Sequence, residues 1–149
     1  MTHLAAVFER SPELTARLEA RLAPDDTPED VIEKARAILD TFAERELIAV
    51  LNAHPRIGAD VRELSELSRV EQGSDQDPRV LTELVRLNAA YERNFGFRFV
   101  VFVNGRSKAQ ILDVLRERAT RSREAELRTG IDEFLVISLD RLRKMRART

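Results

Sequence analysis

"FGFRFVVFV", residues 95–103, is the one run in this chain with the composition of a β-strand. Aromatic and β-branched side chains at that density fit a pleated, buried surface. A strand, however, must satisfy its N–H and C=O groups on a partner. No second run of this kind occurs in the 149 residues. The stretch therefore reads as an extended connector or buried segment, with no sheet around it. The rest of the chain reads as helix, and the fold class is all-α.

The helix starts are marked by residue type. Ser11 stands before Pro12, Thr27 before Pro28, and Asp77 before Pro78. In each pair a capping side chain precedes a ring that fits the first helical turn. Asp30 adds a carboxylate to the first turn after Thr27. Apolar residues then recur at helical spacing: Leu14, Leu18 and Leu22; Val31, Ala35, Ile38 and Phe42; Leu81, Leu84, Val85, Asn88 and Tyr91. Leu47, Val50 and Leu51 carry a further stripe up to His54. "NGRS" is a turn, and Ser107 caps a helix holding Ile111, Leu112 and Leu115. Ser122 opens a last long helix through Leu127, Ile131, Phe134, Leu135, Ile137, Arg141 and Met145. Pro55 ends the helix before it, Gly58 follows, and residues 54–62 form a turn. "GSDQDP", 73–78, is a second break. About six to eight helices result, packed as one irregular bundle over residues 1–149.

Composition narrows the function. Hydrophobic residues make up 43% and charged residues 34%, which suits a folded, solvated domain. The net charge of −1 gives no global attraction to nucleic acid or to an anionic membrane. Aromatics are 5%, too few for a base-stacking platform. The absence of cysteine excludes disulfides, thiolate nucleophiles and cysteine metal sites. No uncharged run reaches the roughly 18 residues of a membrane span. The chain starts without a secretion signal and does not end in a peroxisomal tripeptide, so a cytoplasmic location is expected.

The chemistry then falls to few residues. With two histidines and no cysteine, a transition-metal site is not expected. In "LNAHPRIGAD", residues 51–60, His54 sits against Pro55 just past an apolar stripe. It can cap a helix end through the dipole, or serve as an acid–base group held in place. In "SRVEQG", 68–73, Ser68 and Glu71 match a capping box, while Glu71 and Gln72 could together hold a polar substrate. Gly96 permits a close backbone approach beside the apolar 95–103 run, which equally suits core packing. Arg141 follows Ile137 by four residues on an apolar face. If buried, it needs an anion from the protein or from a substrate; otherwise it lies on the surface.

"HPRIG", "SRVEQG", "LNAAYERNFGFRFVVFVNG" and "ISLDRLRK" occur in the order found in the 2-oxo-4-hydroxy-4-carboxy-5-ureidoimidazoline (OHCU) decarboxylase family, and "FERSP" resembles that family's "FEHSP". The resemblance covers nearly the whole chain. It implies an all-helical, cofactor-free enzyme of urate breakdown, usually a homodimer, that forms (S)-allantoin and carbon dioxide from a small-molecule substrate. By motif, His54 matches the catalytic histidine, and Glu71 is among the residues matched around the substrate. Pro55, Ser68, Gln72 and Arg141 match residues around the substrate. Phe99, Val100, Val101, Phe102 and Val103 match a segment that offers backbone groups to it. On this reading a protonated His54 donates to the ring, Glu71 accepts from the substrate hydroxyl, Gln72 reads amide edges, and Arg141 binds an oxygen. His54 and Glu71 would titrate as a pair. Two other readings stay open: the same fold acting on another small ureide or imidazole-type acid, and a non-catalytic helical interaction module.

Overall fold

The computed structural model describes residues 3–58, 65–72 and 77–147. Eight helices and no strand run through these residues. They are α1 (His3–Val7), α2 (Pro12–Glu19), α3 (Pro28–Leu39), α4 (Glu44–Asn52), α5 (Glu66–Gln72), α6 (Pro78–Phe95), α7 (Lys108–Arg118) and α8 (Arg123–Ala147). The all-α expectation holds. Residues 59–62 of the first expected turn and 73–76 of the second break lie outside the described residues.

Most starts follow the expected chemistry. Thr27 Oγ1 accepts from the Asp30 N–H (3.1 Å), and the Asp30 carboxylate accepts from the Thr27 N–H (3.0 Å). Ser107 and Gln110 exchange the same pair of bonds at the head of α7. The Asp77 carboxylate accepts from the Arg79 N–H (3.0 Å), and Ser122 Oγ from the Ala125 N–H (3.2 Å). Ser11 differs. It holds the cap position of α2, yet its hydroxyl makes no capping bond and is buried without a partner.

The short α1 has no counterpart in the sequence reading, because five residues are too few to show a helical period. It ends in two consecutive left-handed residues, Glu9 (φ 40°) and Arg10 (φ 57°). Each costs on the order of 1–2 kcal/mol for a side chain other than glycine.

The long α8 packs against α1, α3 and α4. Phe134 and Leu135 on α8 share the core with Phe8, Leu18, Ile38 and Leu51. Gly130 lets α8 approach α4 closely: a methyl group there would lie 3.1 Å from Leu51 Cδ1. On α6, Leu84, Asn88, Tyr91 and Phe95 face inward. Val85, expected on that stripe, is instead 62% exposed. It stands about 100° around the helix from Leu84, which points it to solvent. No described helix is long and apolar enough to cross a membrane.

Residues 97–103, after the left-handed Gly96 (φ 85°), are neither helix nor strand, and most of them are buried. Among the described residues, 97–102 make no backbone–backbone hydrogen bond. Side chains satisfy the segment instead. The Arg98 N–H donates to Asn52 Oδ1 (2.9 Å) and the Phe102 N–H to Glu133 Oε1 (3.2 Å). Arg118 Nη1 donates to the Val100 carbonyl (2.6 Å), and Arg106 Nε to that of Val103 (3.1 Å). Arg118 is fixed in turn by the fully buried Glu126 (2.9 Å), which also accepts from Tyr91 Oη (2.6 Å) and Arg121 (3.1 Å). Neither packing nor ladder alone holds this stretch. A buried ion cluster mounts it.

Candidate active site

Helix α4 ends at Asn52, and the Ala53 and His54 N–H groups close its last turn on Ala49 (3.1 Å) and Leu51 (3.2 Å). Pro55 has no N–H to continue the ladder. The chain then turns, and several groups grip it. The His54 carbonyl accepts from Arg98 Nη1 (3.0 Å). The Ile57 carbonyl accepts from Asn88 Nδ2 (3.1 Å). Gln72 clamps the turn from both ends of its amide: Oε1 accepts from the Gly58 N–H (3.1 Å), and Nε2 donates to the Arg56 carbonyl (3.3 Å). The imidazole is thus carried on a fixed backbone.

That imidazole lines a cavity of about 260 Å³. Pro55, Ser68, Glu71, Gln72 and the whole stretch from Phe99 to Val103 share its wall. Residues separated by up to 49 positions in sequence therefore meet in one space. His54 is 6% exposed, and its Nε2 is buried with no hydrogen-bond partner. Its ring stands edge-on to Phe134, with centroids 5.3 Å apart. A buried polar atom without a partner is costly, and in a cavity wall it is an available group for a ligand.

The capping-box reading of Ser68 and Glu71 does not hold. Ser65 precedes α5, and its Oγ accepts from the Ser68 N–H (3.1 Å). That frees Ser68 and Glu71 for other partners. Arg141, expected to bind substrate, is buried but does not line the cavity. Its Nε and Nη2 donate to the two Glu71 oxygens (2.9 and 2.8 Å). Nη1 donates to the carbonyls of Ala6 (2.9 Å) and Val7 (3.3 Å), and Nη2 also to Ser68 Oγ (3.3 Å). These bonds engage every N–H of a guanidinium, which has five. Its anion is a protein carboxylate.

Glu9 is the residue that sequence reading missed. Its side chain accepts from Ser65 Oγ (2.9 Å) and Ser68 Oγ (2.5 Å) and lies 3.5 Å from Arg141 Nη2. Burial raises its pKa, but the Ser68 bond and the Arg141 and His54 charges outweigh burial and leave it below the usual carboxylate range. Lys144 and Asp140 were also missed. They line the cavity from α8, with Nζ and Oδ2 2.9 Å apart. The available signal was their helical register with Ile137, another lining residue.

The expected His54–Glu71 titration pair is not what the charges set up. Burial first, and the Arg141 charge second, push the His54 pKa from 6.5 down to about 4, while Glu9 pulls it upward. His54 is therefore neutral at neutral pH. The linkage sign follows. Below about pH 6.5 the unfolded chain gains a proton that the folded chain refuses, so stability is full above that pH and falls toward pH 4. Wild-type protein should lose about 2 kcal/mol more than His54→Asn between pH 7 and pH 5. Urea titrations of both proteins at the two pH values measure this, and equal losses would contradict a neutral buried imidazole.

A helical domain that brings an unpartnered imidazole and a guanidinium-bound carboxylate to one small, largely apolar cavity has the build of an acid–base enzyme for a small molecule. Comparison with known proteins gives the particular case. Residues 1–143 match the sequence profile of OHCU decarboxylase, and the chain belongs to that family. It is 33% identical over 142 residues to the 2-oxo-4-hydroxy-4-carboxy-5-ureidoimidazoline decarboxylase of Haloferax volcanii, covering 91% of this chain and 82% of that one. It is 27% identical over 146 residues to the uric acid degradation bifunctional protein of Bacillus sp. (strain TB-90). That match takes in 95% of this chain but spans only 29% of the longer relative. The crystal structure of an OHCU decarboxylase in the presence of (S)-allantoin superposes with a TM-score of 0.77, at 25% identity, over 95% of both chains.

Proposed function

We infer that this protein decarboxylates 2-oxo-4-hydroxy-4-carboxy-5-ureidoimidazoline to (S)-allantoin and carbon dioxide. One observation carries the inference beyond family membership: His54, whose Nε2 is buried and unpartnered, lines the same cavity as Glu71.

The reaction asks little of the protein in bond-making. The bond from the ring carbon to its carboxylate breaks, and the electron pair moves into the adjoining C=N bond. The resulting anion must gain one proton. The substrate is its own electron sink, so the protein's part is placement and charge. His54, neutral at neutral pH, takes up a proton as the anionic substrate arrives and delivers it as charge builds on the ring. Glu71, oriented by Arg141, accepts from the substrate hydroxyl. Arg141 acts by setting Glu71. The backbone groups of residues 99–103 that Arg118, Glu133 and Arg106 leave open serve the ureido and amide edges. Gln72 holds the His54 turn and presents its amide from the same wall.

The resemblance of the full motif set supports three further features: one domain over residues 1–149, a pair of chains in solution, and a cytoplasmic location. The test is an assay with freshly generated OHCU, followed by circular dichroism. Excess (S)-allantoin, formed faster than in the buffer alone, is expected. Racemic allantoin at the uncatalysed rate would reassign the cavity to another small ureide or imidazole-type acid.

A further inference from the structure

Glu9 neither lines the cavity nor lies near the site in sequence, yet its carboxylate reaches the machinery behind it. The side chain is 2% exposed and is turned inward by the left-handed backbone at residues 9 and 10. It holds the hydroxyls of Ser65 and Ser68, one at the start of α5 and the other a cavity-wall residue. Its third neighbour is Arg141, whose Nη2 also donates to Glu71. One guanidinium thus stands between two carboxylates.

The charge count follows from this geometry. Arg141 and Glu71 alone would form a neutral pair. Glu9 adds a second carboxylate to the cluster, and at His54 its charge opposes that of Arg141. Of the other charged groups facing His54, Asp140 and Lys144 on α8 lie as a close pair, and Arg98, bonded to the His54 carbonyl, adds a positive charge that also opposes protonation. The remaining neighbour, Phe134, is uncharged.

We propose that Glu9 is a positioning residue of this active site: it fixes Ser68 and Arg141 from behind, and its charge lets His54 gain the proton that the reaction consumes. The proposal rests on the decarboxylase reading for its kinetic part. Its electrostatic part concerns the ligand-free protein. The strained turn at residues 9 and 10 then has a reason, since a relaxed backbone there would aim the carboxylate elsewhere.

Glu9→Gln keeps the shape and removes the charge, while Glu9→Asp keeps the charge on a shorter arm. For Glu9→Gln, kcat with OHCU should fall on the order of tenfold or more, with KM little changed. The alkaline limb of its kcat–pH profile should move to lower pH. In ligand-free protein carrying His3→Gln, so that His54 is the sole histidine, the proton NMR titration midpoint of His54 should also move to lower pH. Glu9→Asp should restore much of both, and it serves as the test if the Gln variant fails to fold. A folded Glu9→Gln protein with the wild-type profile and the wild-type His54 midpoint overturns the proposal. If wild-type protein forms no excess (S)-allantoin, the decarboxylase reading fails instead, and the His54 midpoint still decides what Glu9 does.

Discussion

Replacing His54 with asparagine should lower turnover of OHCU by at least about 10²-fold, the usual effect of removing an acid–base group. The helical circular dichroism spectrum should remain that of the wild type. The side chain lends itself to this separation. Its Nε2 bonds nothing in the protein, so its removal breaks no internal hydrogen bond. Its ring contact with Phe134 is a single edge-on packing, and the turn is held by Gln72, Asn88 and Arg98 through backbone atoms. His54→Ala should lose as much activity and somewhat more stability, because it also opens a cavity. A folded His54→Asn protein with full kcat would remove His54 from the mechanism.

The second large effect concerns stability. Arg141→Ala should destabilise the fold by about 3 kcal/mol or more, because it strips the cation from two carboxylates in a buried setting. Glu9 is 2% exposed, and the Glu71 side chain only 19%. The carbonyls of Ala6 and Val7 lose their donor as well. For a chain of this size the melting temperature should drop by roughly 10 °C. Arg141→Lys should recover only part, since an ammonium cannot form the two-pronged bond to Glu71. Arg143→Ala is the control. Its bridge to Glu29 joins two side chains more than half exposed, and such pairs are worth at most about 1 kcal/mol. Thermal melts of the three variants give the comparison, and an Arg141→Ala protein as stable as Arg143→Ala would mean the cluster is not coupled to folding.

The fold was legible in the sequence where the signals were local. Thr27–Asp30 and Ser107–Gln110 announce their helices because capping couples residues three apart. The 95–103 run gave away the absence of a sheet because it had no partner. Pro55 marked the end of α4. The site was legible as a set of members, since His54, Ser68, Glu71, Gln72 and the 99–103 segment all reach one wall. The wiring between those members was not legible. Arg141 asked for an anion, but whether Glu71 or a ligand supplied it depended on how α5 and α8 pack. Glu9 contacts Ser68 across 59 positions of sequence through a left-handed turn, and no spacing rule points from one to the other. The α1 helix escaped notice for a plainer reason: it is shorter than two turns.

The wall from Phe99 to Val103 has one more consequence. A cavity wall built into a sheet would be tied along its length to its neighbours, and any change in its path would disturb them. Here the path from Phe97 to Phe102 hangs from a few side-chain bonds: Arg118 at Val100, Glu133 at Phe102, Asn52 at Arg98. Exchanging the Asn52 or Glu133 anchor re-aims a short piece of backbone without breaking a sheet ladder. A protein assembled this way can drift toward new substrates by altering its suspension points, so selectivity and foldability can evolve on separate residues.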